Sequence, residues 1–273
     1  MGSLFKFSAL TYLLTWSCWI PVVVRFRPAQ SASAVDGMLL LLGTIAPAVV
    51  GLALTWFEKG KPGLTVTLVR LVKADVAIQW YLFAILYMPT VKAAVTLSHR
   101  LVTGEWPPFG QEGPVVIGIA TLLSTPVQAG EEIGWRGYAL PAVAARFGLG
   151  PASIIIGFIW GVWHLPLFLL PVADKYGQSF PLYVTGVIAF SVAIAWLYGN
   201  TQGSLLLTML MHSAFNQTIG IVSDLLRPGQ KAFALGASLP FLLTICWMWV
   251  AAIFFLLRMP HLRTIRSRQP ETP

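Results

Sequence analysis

Cysteine and charge are the two things this sequence has least of. Only Cys18 and Cys246 occur in 273 residues, each inside an apolar stretch, which excludes a disulfide framework and a thiolate zinc cluster. Charged residues make up 10% of the chain and hydrophobic ones 56%, with a mean hydropathy of +0.74. That balance lies far outside the range of soluble domains. There is no H-E-x-x-H, no low-complexity tract, no convincing internal repeat and no nucleic-acid-binding module. The net charge of +8 therefore does not point to a nucleic-acid partner. Its basic residues lie between apolar stretches and in the tail at Arg258, Arg263, Arg266 and Arg268, as cytosolic membrane flanks do.

What is present is a series of apolar stretches about 20 residues long, the length a helix needs to cross a ~30 Å hydrocarbon core. Eight are expected, near Leu4–Val24, Gly37–Phe57, Ile78–Leu97, Val115–Gly134, Ala152–Leu170, Phe180–Tyr198, Ser204–Val222 and Leu239–Leu257. The expected fold class is therefore all-α: a polytopic membrane helical bundle forming one integral-membrane domain, 1–273. The partner this implies is the lipid bilayer. The first stretch carries Trp16, Cys18, Trp19 and Pro21 in place of a small-residue cleavage site and reads as a retained span. With the N-terminus inside, eleven Lys and Arg fall on inside segments and six on outside ones, so the charge bias predicts both termini in the cytosol. Leu64–Lys73 has apolar residues at helical spacing beside basic ones. It fits either a short helix on the cytosolic interface or a loop leading into the third span.

Acid is scarcest where it is most informative. Glu131 and Glu132 are the only acidic residues inside any expected span, where a charge costs about 2.5–3.5 kcal/mol on insertion scales. An intramembrane ionisable group is by default a functional-site candidate. Glu132 and Arg136 are four residues apart and share a helix face, as do His212 and Asn216. Glu132 then reads as the structural partner of Arg136, leaving Glu131 chemically free. In a partly dry cavity Glu131 becomes a candidate general base. His164 lies ~18 Å into the fifth span and His212 ~12 Å into the seventh at ~1.5 Å per residue, depths that suit one cavity. Glu131 lies near the cytosolic end of the fourth span unless that helix continues past Arg136. The spacings Gly130/Gly134 and Gly157/Gly161 allow close helix approach and are expected to bring the fourth and fifth spans together. Asn216-Gln-Thr218 is a formal glycosylation sequon, but mid-span it is out of reach.

Taken together, Glu131-Glu132-x-x-x-Arg136, an aromatic residue four before His164, and His212-x-x-x-Asn216 resemble the CPBP intramembrane protease family. That family includes the CAAX prenyl proteases and the bacteriocin-processing or immunity (Abi) proteins. The resemblance covers roughly 115–218, a catalytic core within the domain. One departure is Trp160, where the family usually has Phe. The resemblance implies an endopeptidase in which Glu131, aided by His164, activates a water. His212 and Asn216 stabilise the oxyanion, and Glu132 and Arg136 hold the inner shell. It implies a cavity open to the cytosol and a membrane-associated peptide or protein substrate, prenylated or bacteriocin-like, in a bacterial plasma membrane. The family is customarily called metalloprotease, and members have also been interpreted as glutamate proteases. Zn²⁺ on Glu131, His164 and His212, or no metal at all, are both left open. Ser124 and Ser213 lack an evident Ser-His-Asp set. Two other functions compete with hydrolysis: a non-proteolytic adaptor or immunity protein using the same bundle as a scaffold, and a proton-coupled transporter relaying through Glu131 and His164.

Overall fold

The computed structural model describes residues 2–26, 33–222 and 231–260. The charges expected to flank spans at Arg27, Arg227, Arg263, Arg266 and Arg268 lie outside them. The described residues form helices joined by short connections, as an apolar environment requires of backbone that has no water to bond. Chain order gives α1 (Gly2–Arg25), α2 (Ala34–Leu71), α3 (Ile78–Thr103), α4 (Pro114–Ser124), α5 (Ala129–Glu132), α6 (Leu140–Phe147), α7 (Leu149–Trp163), α8 (Phe180–Asn200), α9 (Leu205–Thr218) and α10 (Leu239–Leu257). Six helical stretches among the described residues are long and apolar enough to cross a membrane, and they coincide with six of the eight expected spans.

The expected fourth and seventh spans are not regular membrane helices. The fourth runs through α4, a 3₁₀ turn at Thr125–Gln128, α5, a π-helical stretch at Ile133–Ala139, and α6. It is one helical path with two segments that depart from α-helical pitch, and it extends well past Gly134, where the apolar run stops. The seventh is α9, 14 residues long, closed by a 3₁₀ turn at Ile219–Ile221. Local irregularity of the π type is frequent at functional sites, and here it falls on the segments that carry polar side chains. The segment 61–71 follows a break at Gly60 (φ 60°, ψ −157°) that ends the straight run of α2. Of the two readings of Leu64–Lys73, the helical one holds as far as Leu71.

Helix packing follows the small residues, but not as the glycine spacings suggested. A Cβ on Gly134 would stand 2.3 Å from the Pro47 carbonyl oxygen, and one on Gly51 3.0 Å from the Gly134 Cα. The Gly130/Gly134 pair thus lets the irregular path press backbone to backbone on α2, not on α7. Gly157 and Gly161 face Ile188, Ser191 and Val184 of α8. Each glycine pair found a neighbour the spacing alone could not name. On the other side, α1 is tied to α2 by Thr15 Oγ1 donating to the Gly43 carbonyl at 2.9 Å. It is tied to α7 by Trp16 Nε1 donating to the Trp163 carbonyl at 3.0 Å.

The bundle has two ends of different character. At the end where α1 begins, Ser3 bonds Glu58, Ser204 bonds the Lys73 carbonyl, and Gly199 lies against Leu149 and Pro260. This end gathers Lys6, Lys59, Lys61, Arg70, Lys73, Arg146 and Arg258. At the opposite end Arg25 pairs with Asp36, and Gly110 donates to the Ile221 carbonyl at 3.0 Å. The described cations there are Arg25, Arg100, Lys175 and Lys231.

The Gly134 contact makes a direct test. Gly134→Ala forces a methyl into the Pro47 carbonyl and is expected to destabilise the detergent-solubilised protein by about 1–3 kcal/mol. Gly118→Ala, whose Cβ meets nothing within 4 Å, leaves the unfolding midpoint unchanged or slightly raised.

Candidate active site

The polar centre is built from three helical paths. The path through α5 and the π-helical stretch supplies Glu131, Glu132 and Arg136; α7 supplies Trp160 and, at its C-cap, His164; α9 supplies His212 and Asn216. Glu131 is 8% exposed, Glu132 0%, Arg136 1%, His164 8% and His212 4%. Because the path does not end at Gly134, Glu131 reaches the level of the two histidines. The shallow position expected from the apolar run does not apply.

Glu132 is the hub. Its Oε1 accepts from Arg136 Nη1 at 2.9 Å and from His212 Nδ1 at 2.9 Å. The i,i+4 pairing read from the sequence is thus present, and a carboxylate–histidine contact absent from that reading joins it. Arg136 also lies over the Trp160 ring, 4.1 Å from its centroid, and the His212 ring meets Trp160 edge to face at 5.2 Å. A charge removed from water needs such a set of partners to persist.

Glu131 is held differently. Its Oε2 accepts from Trp160 Nε1 at 2.6 Å, a short hydrogen bond, and its Oε1 is left for the cavity. Glu131 is therefore not unpartnered, and the residue that holds it is the tryptophan standing where the family usually has phenylalanine. The sequence singled out Trp160 as an aromatic wall; that its N–H reaches a carboxylate depends on α7 and α5 lying side by side. His164 Nδ1 lies 2.9 Å from the Trp160 carbonyl. A carbonyl only accepts, so Nδ1 carries the proton and Nε2 offers its lone pair.

Glu131, His164, His212 and Asn216 line one cavity of about 600 Å³. Asn216 donates through Nδ2 to Gln128 Oε1 at a long 3.5 Å and is itself exposed. The wall turns apolar through Val187, Phe190, Phe215, Ile245 and Met248, and the rim carries Asp174, Lys175 and Gln178. Gln128, Tyr183 and the rim residues were not singled out in the sequence. Gln128 in the 3₁₀ turn, Tyr183 in α8 and the rim residues in a connection are single polar residues without a spacing signal.

Among the described residues no three His, Cys, Asp or Glu side chains gather closely enough to hold a metal ion. Glu131, His164 and His212 share the cavity without gathering into a coordination set; the Nδ1 contacts of the two histidines leave each its Nε2. The zinc expectation does not fit this arrangement, and no step below is routed through a metal.

A helical membrane bundle with a buried carboxylate, a second carboxylate neutralised by arginine, and two histidines around an open cavity defines a class: membrane proteins with an intramembrane polar centre. Residues 111–218 match the family model described as Rce1-like, type II CAAX prenyl endopeptidase Rce1-like. Over 95 residues the chain is 30% identical to CAAX prenyl protease 2 of Methanococcus maripaludis, covering 32% of this chain and 34% of that protein. The chain thus aligns with about a third of that curated relative's length. The family-model match falls on the stretch that carries every residue of the polar centre, so it is this core that is similar to the CAAX prenyl endopeptidases.

The Glu132 hub can be probed by stability alone. Arg136→Met strands a buried carboxylate and is expected to cost about 3–5 kcal/mol. In a double-mutant cycle read by unfolding in detergent, Glu132→Leu combined with Arg136→Met costs less than the sum of the two single changes.

Proposed function

We propose that this protein is an intramembrane endopeptidase in which Glu131 activates a water against the peptide bond of a membrane-associated substrate. The observation that carries the reading is Glu131 itself. It is a buried carboxylate with one oxygen fixed by Trp160 and the other facing a cavity lined by His164, His212 and Asn216. The match of the same residues to an endopeptidase family model supports it.

Water held between Glu131 Oε1 and the Nε2 lone pair of His164 gives up a proton to Glu131 as its oxygen attacks the carbonyl carbon. The carbonyl π electrons move to oxygen. That oxyanion needs donors, a role this reading gives to His212 and Asn216. Asn216 has a second amide N–H beyond the one directed at Gln128. His212 donates from Nε2 when both ring nitrogens carry protons, Nδ1–H being directed at Glu132. Collapse of the tetrahedral intermediate breaks the C–N bond, and the proton on Glu131 passes to the leaving nitrogen. Glu132 and Arg136 do not touch the reacting atoms in this scheme. They set the ring orientation of His212 and support Trp160 from the other face.

The substrate class follows from the cavity wall. An apolar lining beyond a polar centre suits an extended segment with apolar side chains flanking the cleaved bond.

Purified protein in proteoliposomes, offered a hydrophobic peptide, is expected to cleave it. Glu131→Gln, which keeps the shape and the Trp160 contact, lowers kcat by about 10²–10⁴-fold; undiminished cleavage at matched expression sinks the assignment. Trp160→Phe removes only the indole N–H and part of the ring. Losing a hydrogen bond to a charged group, about 1.5–3 kcal/mol, is expected to lower kcat about ten- to a hundredfold with KM little changed.

A further inference from the structure

We infer that Lys175 is a specificity-determining residue at the cavity mouth: it receives a carboxylate of the substrate close to the bond to be cleaved. The anion site rests on geometry and charge alone. Only its relation to a cleaved bond rests on the endopeptidase reading above.

Lys175 stands in the connection between the 3₁₀ turn Leu165–Leu169 and α8. That connection is a series of tight turns. The Ala173 N–H donates to the Leu170 carbonyl at 2.9 Å, the Tyr176 N–H to that of Ala173 at 3.1 Å, and the Gln178 N–H to that of Lys175 at 3.1 Å. Gln178 Nε2 adds a bond to the Asp174 carbonyl at 2.7 Å. The turns leave two adjacent side chains in different surroundings: that of Lys175 is 19% exposed and that of Asp174 75%. Among the described residues that line the cavity, Lys175 is the one lysine or arginine. Its Nζ lies 5.6 Å from the centre of the Tyr183 ring, which in turn meets the His164 ring edge to face at 5.5 Å. The ammonium thus belongs to the same wall as His164.

What a cation in that place can hold follows from its bonds. An ammonium has three N–H donors, and Lys175 directs one at the carboxylate of the adjacent Asp174. A pair with one member so exposed holds weakly, and Asp174 can turn out to water while Lys175 stays in the wall. The Tyr183 face supports the charge without using a donor. A substrate carboxylate arriving at the mouth can therefore take the place of Asp174. Glu131, deeper in the same cavity, repels a second carboxylate and keeps that group at the rim. Steps of 5.9, 5.5 and 5.6 Å lead from the Trp160 ring through those of His164 and Tyr183 to Lys175 Nζ. At about 3.3 Å of extended chain per residue, the carboxylate then lies within about five residues of the cleaved bond. A substrate with an amide there leaves the ammonium without its partner, and sites built on a polar contact reject such analogues strongly. The substrate class this defines is an apolar segment with a carboxylate near its cleaved bond, supplied by its C-terminus or by an acidic side chain.

The experiment uses the full chain in detergent and one hydrophobic peptide made in three forms: the free C-terminal acid, the C-terminal amide, and the amide with Asp as its last residue. Affinity is read on the Glu131→Gln protein, in which turnover is slowed, and kcat/KM on the protein with Glu131 intact. The acid is expected to bind about ten- to a hundredfold more tightly than the amide, and the difference in kcat/KM to lie in KM. Lys175→Met, which keeps the aliphatic stem over Tyr183, is expected to bring acid and amide to equal affinity, and Lys175→Arg to restore the preference. Recovery of affinity by the Asp-ending amide assigns the carboxylate to a side chain; no recovery assigns it to the C-terminus. Acid and amide bound alike, or neither bound, with Lys175 in place overturns the proposal, a result that requires no variant at this position to fold. A preference that Lys175→Met leaves unmoved also overturns it. A preference for the acid in binding, with no peptide cleaved, leaves the carboxylate site standing and removes the endopeptidase reading.

Discussion

Everything in the polar centre depends on neutralising one fully buried carboxylate. Glu132 has no exposed surface and cannot be solvated, so its charge has to be met by neighbours or not exist. Arg136 meets it from the same helical path and His212 from α9. Those bonds add to a polar seam between the same two paths, in which Ser213 bonds Ser124 and the Thr121 carbonyl and Gln217 donates to Ser124. The Arg136 guanidinium stacked over Trp160 brings in α7 as a third. Oε2 of Glu132 and Nη2 of Arg136 have no further protein partner, so the pair is not a maximal stabiliser. Its main effect is to specify an arrangement: only one mutual placement of the three paths satisfies it.

The irregular path from Pro114 to Phe147 is the backbone counterpart of that constraint. A uniform α-helix fixes the angular offset between residues at 100° per step, and the 3₁₀ turn before Glu131 and the π-helical stretch after Glu132 each alter it. With Gly134 pressed against the Pro47 carbonyl, the path lies close to α2 while its acidic residues turn toward α7 and α9. Trp160 connects the two carboxylates. Its indole N–H fixes Glu131, and its ring face carries the guanidinium that neutralises Glu132. One side chain thereby separates two adjacent glutamates into a fixed but open carboxylate and a sealed one.

Much of this was legible in the sequence, and the rest was hidden for physical reasons. Hydropathy marks long uniform helices well, and six such helices stand where the apolar runs placed them. It fails for α4–α6 and α9, because the site itself interrupts apolarity and regular pitch there. The Glu132–Arg136 pair was readable because i,i+4 contacts are local. Its third partner was not, since nothing in the spacing of His212 reports which helix it faces. The glycine pairs announced close packing and left the neighbour unnamed; Gly134 chose α2 and Gly157 chose α8. The depth of Glu131 stayed open in the sequence because the apolar run stops at Gly134 while the helical path does not. Trp160 was visible as an aromatic in a motif position, but its hydrogen bond to Glu131 exists only once two paths are side by side.

The buried layer beneath the cavity has an electrical consequence. A cavity that admits water from one face carries that face's potential down to its floor. The voltage across the membrane then falls over the remaining dry thickness, not over the whole bilayer. Here the dry layer is the one formed by Glu132, Trp135, Arg136 and Ala139. The figure of about 2.3 kcal/mol per elementary charge per 100 mV applies to a net charge crossing that layer; the Glu132–Arg136 pair within it meets the field only as a dipole. Glu131 sits at its edge. The layer that holds the centre together is thus also the insulator on which an energised membrane pulls.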